Sequence, residues 1–230
     1  KDIVAEEMGQ VGGLCRIGVL PTIAPYLLPR FFNKMTADNP DVTFTVAEMK
    51  TADCKKALSR GEIDIAILVS LDDMEHYEQT PLYYEQFLAY VSKTDSLYSN
   101  KSIKTSDLND EFLWLLDEGH CFRDQLVKFC SLKSAQASKN TYSLGSIETF
   151  MRMVEGGKGI TFIPELALDQ LSDSQRELVR PFAIPIPTRQ VVALTSKSFV
   201  RLSQLRLVVD AVRKCVPERM LKMNNTEQRV

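Results

Sequence analysis

Apolar residues along the chain fall into short runs separated by polar turns, and the period of those runs changes from one end to the other. Cys15–Leu20 (CRIGVL) is an apolar run closed by Pro21 and reads as a buried strand. Pro21 and Thr22 turn into an amphipathic helix through about Met35, with Pro25 tolerable in its first turn. Val42–Glu48 alternates and is rich in β-branched residues, which predicts a second strand. Thr51 is placed to cap a helix over Ala52–Arg60 that stops at Gly61. Ile63–Val69 (IDIAILV) is a third strand. Strand–helix–strand–helix–strand at these lengths predicts βαβ units and a parallel sheet.

From Gln79 the pattern shifts. Pro81–Tyr83 and Gln86–Val91 predict two strands that leave the first lobe, and Phe112–Leu116 a strand centred on Trp114. Cys121–Leu132 predicts a helix, Asn140–Ser143 a strand, and Ser146 caps a helix through about Val154 that Gly156 and Gly157 stop. Gly159–Ile163 is again a strand, Pro164 opens a helix, and Val191–Ser196 is a last strand. Leu202–Cys215 carries apolar residues at 202, 205, 208, 209, 212 and 215, the stripe of a core-facing helix. The expected organisation is an α/β protein of two lobes, residues 13–88 plus 190–217 and an inserted 89–189, joined by two crossing segments, with 218–230 as a C-terminal tail. A cleft between two such lobes is where small-molecule sites commonly lie.

Composition narrows the classes. At 230 residues, 44% hydrophobic and 25% charged, the chain has the balance of a globular protein with a real core. No apolar run approaches the ~20 residues of a membrane span, and Lys1–Gln10 has no secretory h-region. Disorder, collagen and membrane insertion are excluded. A formal net charge of −2 argues against this stretch gripping DNA by itself, because phosphate neutralisation needs a basic excess. The five cysteines, at 15, 54, 121, 130 and 215, are odd in number and irregularly spaced, which fits a reducing, cytoplasmic setting rather than a disulfide framework. With no CxxC pair and only His76 and His120, no metal site is expected.

The informative stretch is Gly119-His120-Cys121-Phe122-Arg123-Asp124-Gln125, followed by Phe129-Cys130. It sets a cysteine at or near a helix N-terminus, with an imidazole before it and a guanidinium two residues on. Each favours the thiolate, the species that attacks peroxide and climbs to sulfenic acid. If Cys121 and Cys130 share a helix, nine residues separate them by ~13.5 Å of rise and put them on opposite faces. A disulfide needs Cα atoms within ~7 Å, so joining them would require the helix to unravel, with Phe122, Leu126 and Phe129 leaving their packing. The plainer reading of any cysteine is a small buried hydrophobe. It fits Cys15, Cys54 and Cys215 best, and Arg123 and Asp124 could equally be a solvated first turn.

These residues resemble the regulatory domain of the LysR-type transcription regulators, and within that family its peroxide-sensing members. The match continues through Ile17-Gly18-Val19-Leu20-Pro21-Thr22 with Pro25-Tyr26-Leu27-Leu28-Pro29, and through Ser146-Ile147-Glu148-Thr149 with Gly157-Lys158-Gly159-Ile160-Thr161 and Pro164. The resemblance implies two Rossmann-like lobes of the periplasmic-binding-protein type, working as a sensor with no cofactor. It implies that Cys121 is the peroxidatic cysteine and Cys130 the resolving one. Thr22 and Thr51 match positions that can hydrogen-bond peroxide, although a capping or turn role suits both equally well. His120, Arg123 and Asp124 match residues around the pocket. An arginine that approaches the thiolate falls at Arg189 or Gln190, and Arg189 is the candidate.

The implied partners are hydrogen peroxide as signal, further copies of the chain in dimers and tetramers, and a thiol reductant such as glutaredoxin or thioredoxin. DNA would be reached through an N-terminal helix-turn-helix domain, of whose linker residues 1–12 would be a remnant; no membrane is involved. Two other classes compete. A ligand-gated sensor would hold a small organic effector between the lobes and leave Cys121 structural. A one-cysteine peroxidase would use Cys121 with His120 and Arg123 and would turn over, whereas a sensor reacts about once per reduction.

Overall fold

A computed structural model describes residues 12–109, 111–117, 119–132 and 146–230. The chain forms two compact units, residues 1–84 with 190–223 and residues 85–189 with 224–230. The first opens as predicted: β1 (Gly13–Val19), α1 (Ala24–Asp38), β2 (Val42–Glu48), α2 (Thr51–Ser59) and β3 (Ile65–Val69) alternate along the chain. β1 lies between β2 and β3 and is parallel to both, as two βαβ units require. Pro25 falls within the first turn of α1, where a missing N–H costs no helical hydrogen bond.

β4 (Tyr77–Val91) carries the chain from the first unit into the second, crossing at Tyr84/Glu85. There follow α3 (Cys121–Phe129), α4 (Ile147–Glu155), β5 (Ile160–Pro164), a 3-10 turn over Glu165–Gln170, α5 (Asp173–Arg176) and β6 (Val179–Pro181). β5 and β6 both pair antiparallel with the second half of β4. β7 (Ile186–Ser196) crosses back and pairs antiparallel with β3 through residues 191–194. α6 (Leu202–Cys215) then completes the first unit, and β8 (Glu227–Arg229) lies parallel to residues 186–188 of β7 in the second.

Each unit has its own apolar centre. In the first, Ile17, Val19, Ile65 and Ile67 of the sheet are buried, as are Tyr26, Leu27 and Phe31 of α1 and Val208 and Val212 of α6. In the second, Phe87, Ala89, Val91, Phe162 and Ile163 are buried along with Phe150, Met151 and Val154 of α4. Ser146 caps α4, its hydroxyl accepting from Thr149 N at 3.1 Å, as its position predicted.

Several expectations are corrected. The two strands predicted at Pro81–Tyr83 and Gln86–Val91 are one 15-residue strand that runs through Tyr84 and Glu85, with Pro81 in its more exposed first half, where proline is tolerated. Phe112–Leu116 forms only a single bridge, Leu113 to Ile160, with Trp114 N donating to Ile160 O at 2.8 Å. That approach leaves no room at Gly159, whose φ is +89° and where a Cβ would stand 2.6 Å from Phe112 O. Thr51 is not a cap: Lys50 precedes the helix and Thr51 is its first residue. In α6, Leu202 is exposed while Gln204, outside the apolar stripe, is buried with its amide donating to Gly12 O at 2.7 Å. Residues 1–11 of the expected linker remnant and the strand at Asn140–Ser143 lie outside the described residues.

Candidate redox site

Gly119 takes φ +85°, a left-handed conformation that a β-carbon disfavours, and so turns the chain sharply into α3. His120 is the N-cap residue, its carbonyl accepting from Arg123 N at 2.9 Å and Asp124 N at 3.1 Å, and Cys121 is the first helical residue. The cysteine therefore sits where the unpaired amides of the first turn gather, the end of a helix that stabilises an anion. Its side chain is buried, at 8% exposure, as is that of Phe122. Asp124 in the first turn and Lys128 in the last both complement the helix dipole.

His120 Nε2 stands 3.1 Å from Asp117 Oδ1, so a carboxylate from three residues earlier lies beside the imidazole that precedes Cys121. Sequence reasoning gave Asp117 no role, although the i, i+3 spacing was there to read. Arg123 Nη1 meets Asp124 Oδ1 at 3.4 Å; Arg123 is largely buried and Asp124 is exposed.

Arg189 is the largest fully buried side chain of the described residues. Its Nε and Nη2 both donate to Glu85 Oε2, at 2.9 and 2.7 Å, and both side chains are 1% exposed. Glu85 Oε1 accepts from Leu166 N at 3.1 Å. The guanidinium also lies over the ring of Phe122, 5.0 Å from its centroid, and over that of Phe87 at 5.8 Å. The arginine is thus packed directly on the residue that follows Cys121. Glu85 was not foreseen, because a lone acid inside an apolar strand looks like a break until its distant partner is known. Gln190, the other residue considered, belongs to the first unit and donates to Tyr84 Oη at 3.1 Å.

α3 ends before Cys130, which is its C-cap residue, so Cys121 and Cys130 stand at opposite ends of the helix rather than both within it. Cys130 is buried, and burial alone pushes its thiol up to about 12. Burial, together with the Asp64 charge, takes Cys15 to about 12, and burial takes Cys215 to about 11. At neutral pH these three are thiols, not thiolates. None of the five cysteines is joined in a disulfide. The helix stops in a Schellman arrangement: Ser131 N donates to Lys128 O at 3.4 Å and Leu132 N to Val127 O at 3.1 Å. Ser131 has φ +50° in that motif, a position glycine usually holds.

Thr22 and Thr51 lie in the first unit, just after the carboxyl ends of β1 and β2, the edge of a parallel sheet at which ligands are commonly bound. Both are buried, and Thr51 Oγ1 finds no hydrogen-bond partner among the described residues. The second unit also has an open cavity of about 450 Å³ whose charged lining is already paired, Lys93 with Glu177 and Arg152 with Glu148 and Glu155. Among the described residues no group of three His, Cys, Asp or Glu is placed to hold a metal ion, and no helix is long and apolar enough to cross a membrane.

The chain is thus a mixed α/β protein of two units joined by two crossing strands, with a thiol at the start of a helix in the second. The LysR substrate binding domain matches residues 8–216, and the chain belongs to that family. Among solved structures it is similar to OxyR from Porphyromonas gingivalis, with 46% identity over 94% of this chain and 98% of that one and a TM-score of 0.87. Among curated proteins it is 30% identical, over 83% of its length, to the hydrogen peroxide-inducible genes activator of Haemophilus influenzae. It is 28% identical, over 93% of its length, to the DNA-binding transcriptional dual regulator OxyR of Escherichia coli. The chain spans 63% of the Haemophilus relative and 70% of the Escherichia one.

Proposed function

We propose that this chain is the regulatory domain of a hydrogen-peroxide-responsive transcription activator and not an enzyme. In this reading it works in the cytoplasm, associates with further copies of itself, and reaches DNA through other parts of the regulator. The observation that carries the reading is the placement of Cys121 as the first residue of α3, directly after His120, in a chain similar to proteins named for peroxide induction.

The Cys121 thiolate attacks one oxygen of hydrogen peroxide. The S–O bond forms, the O–O bond breaks, and hydroxide leaves to take up a proton as water, so sulfur is oxidised to the sulfenic acid as peroxide is reduced. Arg123, Asp124 and Arg189 shape the electrostatics around this step. Cys130 then attacks the Cys121 sulfur; the S–S bond forms, the S–O bond breaks, and the hydroxyl departs with the thiol proton as water. Because nine helical steps span ~13.5 Å and a disulfide allows ~7 Å between Cα atoms, α3 must open before that second step. Opening also brings Cys130 from its buried, protonated state into water, where an ordinary thiol titrates near ~8.5. The rearranged segment alters how copies pack, and two electrons from a dithiol reductant of the glutaredoxin or thioredoxin class reset the domain.

Peptide mapping after one equivalent of hydrogen peroxide, with differential alkylation of reduced and oxidised thiols, tests this. A Cys121–Cys130 disulfide is expected, abolished by Cys121→Ser, with Cys54 and Cys215 still alkylatable. A Cys121 that oxidises no faster than Cys215 would overturn the proposal.

A further inference from the structure

The last residues of the chain belong to the second unit, although the preceding segment, residues 190–223, belongs to the first. Strand β8 has only three residues, and none of them is buried. What holds it is polar. Ile186 N donates to Thr226 O at 2.9 Å and Val230 N to Thr188 O at 3.1 Å along β7. Gln86 Nε2 donates to Glu227 Oε1 at 2.6 Å. A further tie comes from α3, where Gln125 Nε2 donates to Val230 O at 2.7 Å.

Gln125 lies near the middle of the stretch between Cys121 and Cys130. It is buried, and its own Oε1 finds no partner among the described residues. A buried amide with one end satisfied by β8 and the other unsatisfied is a poor element of a permanent core. Its donor reaches Val230 only while residues 121–129 are helical. A Cys121–Cys130 bridge forces those residues out of the helix, and Gln125, midway along, is carried furthest from its place.

We infer that β8 is a latch that reads the state of α3: it is docked on β7 while the helix stands, and let go when the helix opens. The inference rests on the reading proposed above. Without Gln125, a three-residue strand with no buried side chain of its own is too short to stay paired. Release of β8 uncovers the backbone of residues 186–188, so oxidation is transmitted from the sensing helix to a sheet edge that was covered.

The test is hydrogen–deuterium exchange of the 230-residue chain, reduced and after peroxide, with the disulfide verified by peptide mapping on the same samples. Residues 224–230 and 186–188 are expected to lose at least about tenfold in protection on oxidation. Gln125→Met, which keeps the volume and removes the donor, is expected to unlatch residues 224–230 in the reduced chain while leaving Cys121–Cys130 bridging intact. A bridged chain whose residues 224–230 stay protected overturns the latch and leaves the redox switch standing. A chain that forms no bridge overturns the switch and the redox control of β8 with it. Full protection in reduced Gln125→Met overturns the tie itself, whatever the redox chemistry does.

Discussion

The chemistry at Cys121 depends on its place as the first residue of α3, which none of its four companions shares. Cys15, Cys130 and Cys215 are pushed up to about 12, 12 and 11 with desolvation as the leading cause, and none begins a helix. Because the folded-state value of Cys130 lies above its unfolded one, its contribution to stability is fully present below about pH 9. Above that the unfolded chain sheds its proton first, so the contribution is lost as pH rises from about 9 through 12. Denaturant melts of the reduced domain are therefore expected to weaken across that window. Cys130→Ala should flatten the decline relative to the parent, and an unchanged slope would show that the thiol stays wet.

At the scale of the element, α3 is built to stand and to open. Phe122 and Leu126 are buried and Cys121 with Gln125 joins them, while Phe129 at the end of the helix is only half-buried. Ser131 weakens that end, since a non-glycine residue at positive φ costs ~1–2 kcal/mol. Ser131→Gly is expected to hold the helix closed longer and slow disulfide closure about fivefold, the equivalent of ~1 kcal/mol. Leu126→Ala removes a side chain with no exposed surface, at a cost of ~2–5 kcal/mol, and should speed closure. Stopped-flow measurement of bridge formation after a fixed peroxide pulse separates the two. If both variants close at the parent rate, helix opening does not limit the step.

For the molecule as a whole, a few buried charges tie distant parts of the chain within each unit. In the first, Asp64 takes two hydrogen bonds from the Arg16 side chain, at 2.8 and 3.0 Å, and one from Arg201 at the start of α6. Burial would raise this carboxyl, but the Arg16 hydrogen bonds and the charges of Arg201 and Arg16 outweigh it and hold Asp64 below the usual carboxylate range. A depressed value gives stability that is present above ~pH 3.9 and is lost as pH falls through the folded value. Asp64→Asn should thus lower stability at pH 7 and make the acid limb shallower, as read by chemical melts at pH 7, 4 and 3. Equal losses at all three would leave the carboxylate's charge without a role. In the second unit the Glu85–Arg189 pair connects β4 to β7, and removing one partner of so dry a pair strands the other's charge.

Much of this was legible in the sequence, because it depends on local rules. Alternation and β-branching placed β2 at Val42–Glu48, the Ser146 cap placed α4, and Gly119 before Cys121 marked the start of α3. The cysteine with its flanking histidine and arginine needed no coordinates either, since neighbours within a turn are neighbours in any fold. Tertiary structure alone decided what depends on residues far apart. Glu85 reads as a strand break until Arg189 is brought against it 104 positions later and the strand runs through it. Gln204 shows as a polar face until Gly12 O receives its amide, and 218–230 as a tail until Gln125 donates to Val230. Sequence patterns record which side chains prefer to be buried; which polar groups can afford burial depends on partners that only the folded chain brings within hydrogen-bonding distance.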